Sequence, residues 1–207
     1  MIAIIDYGAG NLRSVEMGIL RAGARAKVTG DAAEISASDG VILPGVGAFG
    51  DAMSALDRSR LIPTILEFAA SGRPFLGICL GMQALFDGSE EGADMKGLGL
   101  ISGFVRRLPE CGLKIPHMGW NSLNAVKESP LFKGLPPFPY TYFVHSFACH
   151  AKHRDDVLAE TEYGGLFHSA IQRGNVMGLQ FHPEKSGRTG QIILKNFAAM
   201  CTVGEAE

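Results

Sequence analysis

The 207-residue sequence has no excess of charge of one sign and no long hydrophobic run. Its 19 Lys and Arg residues stand against 21 Asp and Glu residues, and the basic residues are scattered along the chain. A nucleic-acid-binding surface is therefore not indicated, because such a surface needs a basic patch or stripe. The apolar stretches are too short to span a bilayer, and residues 1–8 lack the positively charged start of a secretory signal.

Cysteine is also scarce. The four cysteines lie far apart and form no CxxC pair: Cys79, Cys111, Cys149 and Cys201. This spacing favours reduced thiols in a cytoplasmic protein over a disulfide framework, and it offers no ligand set for zinc. A hydrophobic fraction of 46% is enough for a sizeable core. We therefore expect one globular domain over residues 1–207, without a metal or other cofactor.

The N-terminal half alternates between strand-like and helix-like segments. We predict strands over residues 2–6, 24–29, 40–43 and 74–78. The predicted helices cover residues 12–22, with Asn11 as the N-terminal cap, and residues 48–56, 63–70 and 80–86. Alternation of this kind builds βαβ units and hence a parallel sheet covered by helices on both faces.

The C-terminal half contains short β-like runs separated in part by glycine turns. These runs cover residues 100–108, 122–126, 140–148, 157–162, 167–173 and 176–180, and a closing helix is predicted over residues 192–200. We therefore expect an α/β fold. Its central, mostly parallel sheet is flanked by helices and gains antiparallel strands from the C-terminal half.

Residues 77–81, Gly-Ile-Cys-Leu-Gly, lie between a predicted buried strand and a predicted helix. They have the Gly-x-nucleophile-x-Gly form of a nucleophile elbow, a sharp turn that exposes one side chain above a sheet. The N–H groups at the start of the helix, beginning with that of Leu80, favour a thiolate and can donate to an oxyanion. We predict that Cys79 is a nucleophile. The alternative is a structural cysteine in a glycine-rich turn, which we prefer for the other three cysteines.

Residues 180–185, Gln-Phe-His-Pro-Glu-Lys, follow the apolar run 176–179. His182 and Glu184 are two residues apart, so in an extended segment both side chains leave the same face. Pro183 cannot donate to a sheet, which predicts the end of a strand next to a cleft. A carboxylate beside an imidazole fixes its tautomer and stabilises its charged form. We predict a triad of Cys79, His182 and Glu184; a surface His–Glu pair is the alternative.

The two motifs, about a hundred residues apart, resemble those of the class I (triad) glutamine amidotransferases. Similarity continues in residues 6–11 (Asp-Tyr-Gly-Ala-Gly-Asn), 44–47 (Pro-Gly-Val-Gly), 116–121 (Pro-His-Met-Gly-Trp-Asn) and 142–146 (Tyr-Phe-Val-His-Ser). Residues 6–11 and 117–121 are most similar to members that act in histidine biosynthesis. Phe147 stands where this pattern has tyrosine, so one hydroxyl group is missing. The resemblance implies a flavodoxin-like α/β fold.

The resemblance also implies a reaction and its site residues. The reaction is hydrolysis of glutamine to glutamate and ammonia through a cysteine thioester. The implied oxyanion hole consists of Gly45, Val46, Gly47 and Leu80, and the implied glutamine-binding residues are Gln83, Glu91 and Ser146. The alternative for residues 44–47 is an ordinary tight turn, and the alternative for Glu91 is a solvated loop.

A partner is implied in the same way. It is a cyclase subunit with a (β/α)8 fold, which forms a heterodimer with the glutaminase and receives its ammonia through a channel. The candidate interface or gating residues are Asn11, Met118, Trp120 and Lys185, although a buried tryptophan is the commoner case. The turn at residues 8–10 hints at dinucleotide binding, but Arg13 replaces the third glycine of that motif, so we reject a Rossmann cofactor.

Three rival functions stay open. The glutaminase subunit of another synthase, such as that for pyridoxal phosphate, would keep the triad but lack the motifs at residues 6–11 and 117–121. A cysteine peptidase or stress-related relative with the same sheet would cleave peptides and ignore free glutamine. An interaction module would form no thioester with a glutamine-like electrophile.

Overall fold

The computed structural model describes residues 1–92 and 95–202, and in these ranges 11 strands form one sheet and two form a separate ribbon. No helix in these ranges is long and apolar enough to cross a membrane. The strands are β1 Ile2–Ile5, β2 Ala26–Thr29, β3 Gly40–Gly45, β4 Phe75–Cys79, β5 Gly88–Ser89, β6 Gly103–Arg107, β7 His117–Ser122, β8 Asn124–Ala125, β9 Tyr140–His145, β10 Phe147–Ala151, β11 Val157–Glu162, β12 Leu166–Arg173 and β13 Val176–Leu179.

The α-helices are α1 Leu12–Arg21, α2 Ala32–Ser36, α3 Phe49–Arg58, α4 Ile62–Ala70, α5 Leu80–Ala84 and α6 Gly187–Thr202. Short 3₁₀ turns cover Glu90–Gly92, Pro130–Phe132, Arg154–Asp156 and Pro183–Lys185. Helix α2 was not predicted. It is one of the shortest, and it begins where the Asp31 side chain accepts the N–H groups of Ala33 and Glu34.

The main sheet has a parallel part and an antiparallel part. Strands β2, β1, β3, β4 and β13 are parallel in that spatial order. Beyond β13 the order continues with β12, β10 and β6, each antiparallel to its neighbour, and then with β5, which is parallel to β6. Strand β11 pairs with β12, and β8 pairs with β11. The predicted α/β architecture is confirmed.

Helices cover both faces of the parallel part. All four residues of β1 are buried, and they alternate between two apolar clusters on opposite faces. Helices α3 and α4 contribute Phe49 and Phe68 to one cluster, and helices α1 and α6 contribute Ile19 and Phe197 to the other. Burial on both faces explains why these strands read as continuous apolar runs rather than alternating ones.

Several predicted boundaries are wrong in the C-terminal half. Residues 140–148 form two strands, β9 and β10, which are separated at Ser146. Strand β7 was not predicted, because Gly119 and polar residues interrupt its apolar pattern; its pairing with β9 holds it in place. In the predicted strand 100–108 only Gly103–Arg107 is extended, and helix α6 begins five residues before the predicted start at residue 192.

The start of helix α1 also differs from the prediction. Asn11 occupies the N-cap position, but its side chain makes no capping hydrogen bond. Its backbone carbonyl accepts the N–H groups of Ser14 and Val15 instead. The helix after Cys79 is shorter than predicted, since α5 ends at Ala84 rather than at residue 86.

The registers of three parallel strands bring their ends together. Gly45, the last residue of β3, pairs with Cys79, the last residue of β4. On the other side of β4, Ile78 pairs with Leu179, so Gln180 follows directly beside Cys79. The carboxyl ends of parallel strands form the usual binding edge of an open α/β sheet. This register positions the chain segment that carries His182.

The turn after β4 leaves no room for side chains at its glycines. A Cβ atom on Gly81 would lie 1.8 Å from the carbonyl oxygen of Leu43, and one on Gly77 would lie 2.7 Å from that of Gly81. Both contacts are with backbone atoms, which cannot move aside without shifting a strand or the helix. The requirement for small residues on either side of Cys79 therefore follows from close backbone packing.

We predict that Gly81→Ala lowers the free energy of unfolding by about 3 kcal/mol, because the new methyl group overlaps the β3 backbone. Urea unfolding monitored by circular dichroism measures the change. Gly50→Ala is the matched control, since its Cβ would approach no atom of the described residues closer than 3.8 Å, and it should leave stability unchanged or slightly raised. Equal stability of the two variants would contradict the account.

Candidate active site

Cys79 has the geometry of a nucleophile elbow. It ends β4 and directly precedes α5, with φ 53° and ψ −111°. Residues other than glycine rarely adopt positive φ, and such strain costs about 1–3 kcal/mol. The side chain is buried among polar neighbours: Sγ lies 3.8 Å from Nε2 of Gln180 and 4.0 Å from the carbonyl oxygen of Val144. The fold holds Cys79 in a conformation that a purely structural cysteine would not need.

His182 and Glu184 form a buried pair. Nδ1 of His182 lies 2.9 Å from Oε1 of Glu184, and the two side chains are 3% and 1% exposed. The predicted extended geometry is wrong here, because Pro183–Lys185 form a single 3₁₀ turn. Proline suits the first position of a helical turn, where its missing N–H group is not needed. The two side chains therefore meet because of this turn, and not because they lie on the same face of a strand.

The electrostatics of His182 favour its charged form. Burial is the largest single influence and lowers the pKa, but interactions with Cys79 and Glu184 together outweigh it and raise the pKa of His182 to about 9. Among residues 1–92 and 95–202, Nε2 has no hydrogen-bond partner of normal geometry. At neutral pH the imidazole therefore carries a proton on both ring nitrogens, and hence a positive charge, beside the Cys79 sulfur.

A cavity of about 300 Å³ joins most of the predicted site residues. Its lining includes Cys79 and His182 together with the predicted oxyanion-hole and glutamine-binding residues Val46, Gly47, Leu80, Gln83, Glu91 and Ser146. Gly45 is not among the described lining residues. It is buried beside Cys79, where a Cβ atom would lie 2.7 Å from Oη of Tyr7. The volume is at the lower end of the range for small-molecule sites.

Two of the predicted glutamine-binding residues already have protein partners. Nε2 of Gln83 donates to the carbonyl oxygen of Phe147 at 3.0 Å and to Oε1 of Gln180 at 3.1 Å. Only Oε1 of Gln83 is then left to meet a ligand. Glu91 is exposed, and its Oε2 accepts the N–H group of Phe49 at 2.8 Å, which places the carboxylate at the start of α3. Their role in binding glutamine stays a prediction.

The structure also brings residues to the site that the sequence analysis did not select. His145 lines the cavity, and its Nε2 lies 3.0 Å from Nδ1 of His117. Burial lowers the pKa of His117 to about 4 and that of His145 to about 3, so both rings are neutral. Gln180 contacts Cys79 directly. Its position follows from the pairing of β13 with β4, which no local sequence pattern predicts.

Three of the four candidate interface residues share one surface. Met118 and Trp120 on β7 are 63% and 56% exposed, so the alternative of a buried tryptophan is wrong. The Trp120 ring lies edge-on to Tyr142 at 6.3 Å, and Nζ of Lys185 lies 6.0 Å above the same Tyr142 ring. We call Met118, Trp120, Tyr142 and Lys185 the ribbon surface. Asn11 is exposed on a different element, at the start of α1.

Comparison with known proteins places this geometry in a family. The family model of glutamine amidotransferase class-I matches residues 3–201. The chain belongs to the class I glutamine amidotransferases. This amidotransferase is 53% identical over 202 residues to "Imidazole glycerol phosphate synthase subunit HisH" of Methanosarcina mazei, with coverage of 97% of this chain and 98% of the relative. The corresponding subunit of Moorella thermoacetica is 52% identical, with coverage of 96% and 94%.

Solved structures support the fold. A structure described as a glutamine amidotransferase aligns with a TM-score of 0.77 at 18% identity, covering 98% of this chain and 100% of that one. PurLQS from Thermotoga maritima aligns with a TM-score of 0.71 at 19% identity, covering 95% of this chain and 96% of that one. The expected family and fold class of this amidotransferase are confirmed, and so is its enzyme class.

We predict that the His182 imidazole titrates with a midpoint near pH 9, and that Cys79→Ala and Glu184→Gln each lower this midpoint. The reason is that both neighbours favour the charged ring, whereas burial opposes it. NMR of histidine-labelled protein measures the titration, and His182→Gln assigns the signal. An unchanged midpoint in both variants would show that neither neighbour acts on the ring.

Proposed function

We propose that this chain is the glutamine-hydrolysing subunit of imidazole glycerol phosphate synthase, which supplies ammonia to a cyclase subunit in histidine biosynthesis. The observation that carries the proposal is the meeting of Cys79 and His182 at one cavity beside the strand ends, with Glu184 bound to the His182 ring. We further propose that residues 1–207 form one amidotransferase domain. Four free thiols suit a reducing compartment, and we assign the chain to the cytoplasm.

The first half-reaction forms a thioester. Sγ of Cys79 attacks the carboxamide carbon of glutamine, and the carbonyl oxygen takes up negative charge in a tetrahedral intermediate. Collapse of this intermediate breaks the C–N bond, and His182 gives a proton to the departing ammonia. The raised pKa of His182 suits this step, because the ring holds its proton at neutral pH. Glu184 orients the ring through Nδ1 and leaves Nε2 free to act.

The second half-reaction returns the enzyme to its starting state. The ring is now neutral, takes a proton from water, and the resulting hydroxide attacks the γ-glutamyl carbon. The C–S bond breaks and glutamate leaves. Cys79 and His182 then have the protonation states that they had before the first half-reaction. One group thus acts as acid in the first half and as base in the second.

We assign the oxyanion hole to the N–H group of Leu80 and to the backbone of residues 45–47. Leu80, Val46 and Gly47 line the cavity, and Gly47 has a φ of 101°, which glycine adopts readily. Oη of Tyr7 donates to the Pro44 carbonyl at 3.0 Å and so anchors the first peptide of this segment. We propose that the following peptides, at Val46 and Gly47, reorient to face the oxyanion. Each donor that faces the oxyanion contributes about 3–4 kcal/mol to acyl-transfer catalysis.

The partner we propose is a (β/α)8 cyclase that forms a heterodimer with this chain. Exposed Met118 and Trp120 on the ribbon surface suit such an interface, since aromatic residues and methionine are enriched in interface cores. Lys185 follows the triad segment and contacts the same Tyr142 ring as Trp120. The ribbon surface therefore connects the proposed interface to the segment that carries the base.

We predict that the purified chain releases glutamate from glutamine when it is mixed with the cyclase and its phosphoribulosyl substrate. Cys79→Ala should reduce the rate by roughly 10⁴-fold, because the nucleophile is lost. A coupled glutamate assay measures both rates. Cys79-dependent activity that ignores the cyclase would move the chain to another synthase. No glutamate from folded, cyclase-bound protein would overturn the proposal.

We also predict that Trp120→Ala weakens binding to the cyclase by roughly 30-fold, as expected for a central aromatic contact worth about 2 kcal/mol. Isothermal titration calorimetry measures the affinity. Leu66→Ala is the control, because Leu66 is an exposed apolar residue of α4, which packs on the opposite sheet face. Equal affinities for the two variants would place the interface elsewhere.

A further inference from the structure

A buried chain of hydrogen bonds runs from the backbone carbonyl of Phe147 through Gln83 and Gln180 to the Cys79 sulfur. The carbonyl determines which atom donates in each of these hydrogen bonds. The carbonyl oxygen of Phe147 lies 2.9 Å from Nδ1 of His145 and 3.0 Å from Nε2 of Gln83. A carbonyl oxygen only accepts hydrogen bonds, so both of these atoms are donors. The NH₂ end of the Gln83 amide therefore faces Phe147.

The orientation of Gln83 in turn determines that of Gln180. The Gln83 NH₂ group has two hydrogens, and its second neighbour is the side-chain amide of Gln180 at 3.1 Å. A donor must meet an acceptor, so the near atom of Gln180 is Oε1. Cys149 adds a second donor to the same oxygen, with Sγ at 3.8 Å. Amide orientations are normally inferred from such networks, and this network allows only one.

The other end of the Gln180 amide, Nε2, then faces Cys79. Its distance to Sγ is 3.8 Å, which is within hydrogen-bonding range for the large sulfur atom. Gln180 is fully buried, and its backbone N–H group donates to Ser169 at 2.9 Å. A flipped amide would set two NH₂ groups against each other and leave buried donors unpaired, which costs more than the flip can recover.

Sγ of Cys79 consequently lies between two groups of opposite character. The Val144 carbonyl oxygen, 4.0 Å away, can accept a hydrogen bond from the neutral thiol. The Gln180 N–H group can only donate, and a donor stabilises a sulfur that carries negative charge. The sulfur carries that charge before it attacks and again when the thioester C–S bond breaks.

We propose that Gln180 is a positioning residue for the reaction, whose side-chain N–H group holds the Cys79 sulfur and stabilises its anionic form. Gln83 and Cys149 keep the amide turned so that the N–H group faces the sulfur. The proposal rests on Cys79 being the nucleophile. It depends neither on the identity of the substrate nor on the cyclase.

The test measures the reactivity of Cys79 in the full chain without any substrate. A Cys111→Ser background removes the exposed second thiol. Iodoacetamide alkylation of Cys79 is followed by mass spectrometry from pH 5 to about 10, the range in which cysteine ordinarily titrates. Gln180→Glu keeps the size and the acceptor but loses the donor, and Gln180→Met loses both.

We predict that each Gln180 variant alkylates about tenfold more slowly at pH 7, with the midpoint of the pH profile about one unit higher. The limiting rate at high pH should stay within about twofold of the parent, because Cys79 still lines the cavity through which the reagent enters. Gln172→Glu makes the same amide-to-carboxylate change on β12, outside the lining of the cavity, and should leave the profile unchanged.

Two outcomes would overturn the proposal: an unchanged midpoint in both variants, or an equal loss of rate at every pH, which indicates altered packing alone. Thermal unfolding verifies that the variants are folded. A shifted profile in a chain without glutaminase activity would uphold this inference and reject the proposed function. Glutaminase activity with unshifted profiles would uphold the proposed function and reject the inference about Gln180.

Discussion

The register of β4 with its two parallel neighbours is the constraint on which the rest of the site depends. The pairs Gly45–Cys79 and Leu179–Ile78 bring the ends of three strands, β3, β4 and β13, to one point of the sheet edge. Because side chains alternate along strands, a shift of one residue in either pairing would exchange the side chains that the strand contributes to the two apolar clusters. The two apolar clusters therefore hold the cavity in place, although none of their large side chains takes part in the chemistry.

Burial lowers the pKa of all three histidines around this point, but the neighbours of His182 reverse the effect. Burial keeps the rings of His117 and His145 neutral, and their hydrogen-bond partners among the described residues are each other, Asn121 and the Phe147 carbonyl. His182 is buried as deeply but has Glu184 on one side and Cys79 on the other, so it holds a proton at neutral pH. The neighbours Glu184 and Cys79, rather than burial, thus distinguish the histidine suited to acid–base work from the neutral pair.

Short-range patterns were sufficient for the elbow and the His–Glu pair, since each depends on neighbouring residues. The parallel half of the fold was also predictable, because strands buried on both faces are continuous apolar runs. Strand β7 was not, since only its pairing with β9 makes it extended. Gln180 escaped notice for a related reason. Its contact with Cys79 spans 101 residues and follows from strand order, which no local pattern encodes.

The central claim is that Cys79 becomes covalently acylated by glutamine, with His182 as the proton donor. The most direct measurement is an acid quench during turnover of the chain with its cyclase, followed by peptide mapping. We predict a γ-glutamyl adduct on the peptide that contains Cys79, and slower formation of this adduct before steady state in His182→Gln, which lacks the proton donor of the acylation step. An adduct on another residue, or glutamate production without any adduct on Cys79, would contradict the account.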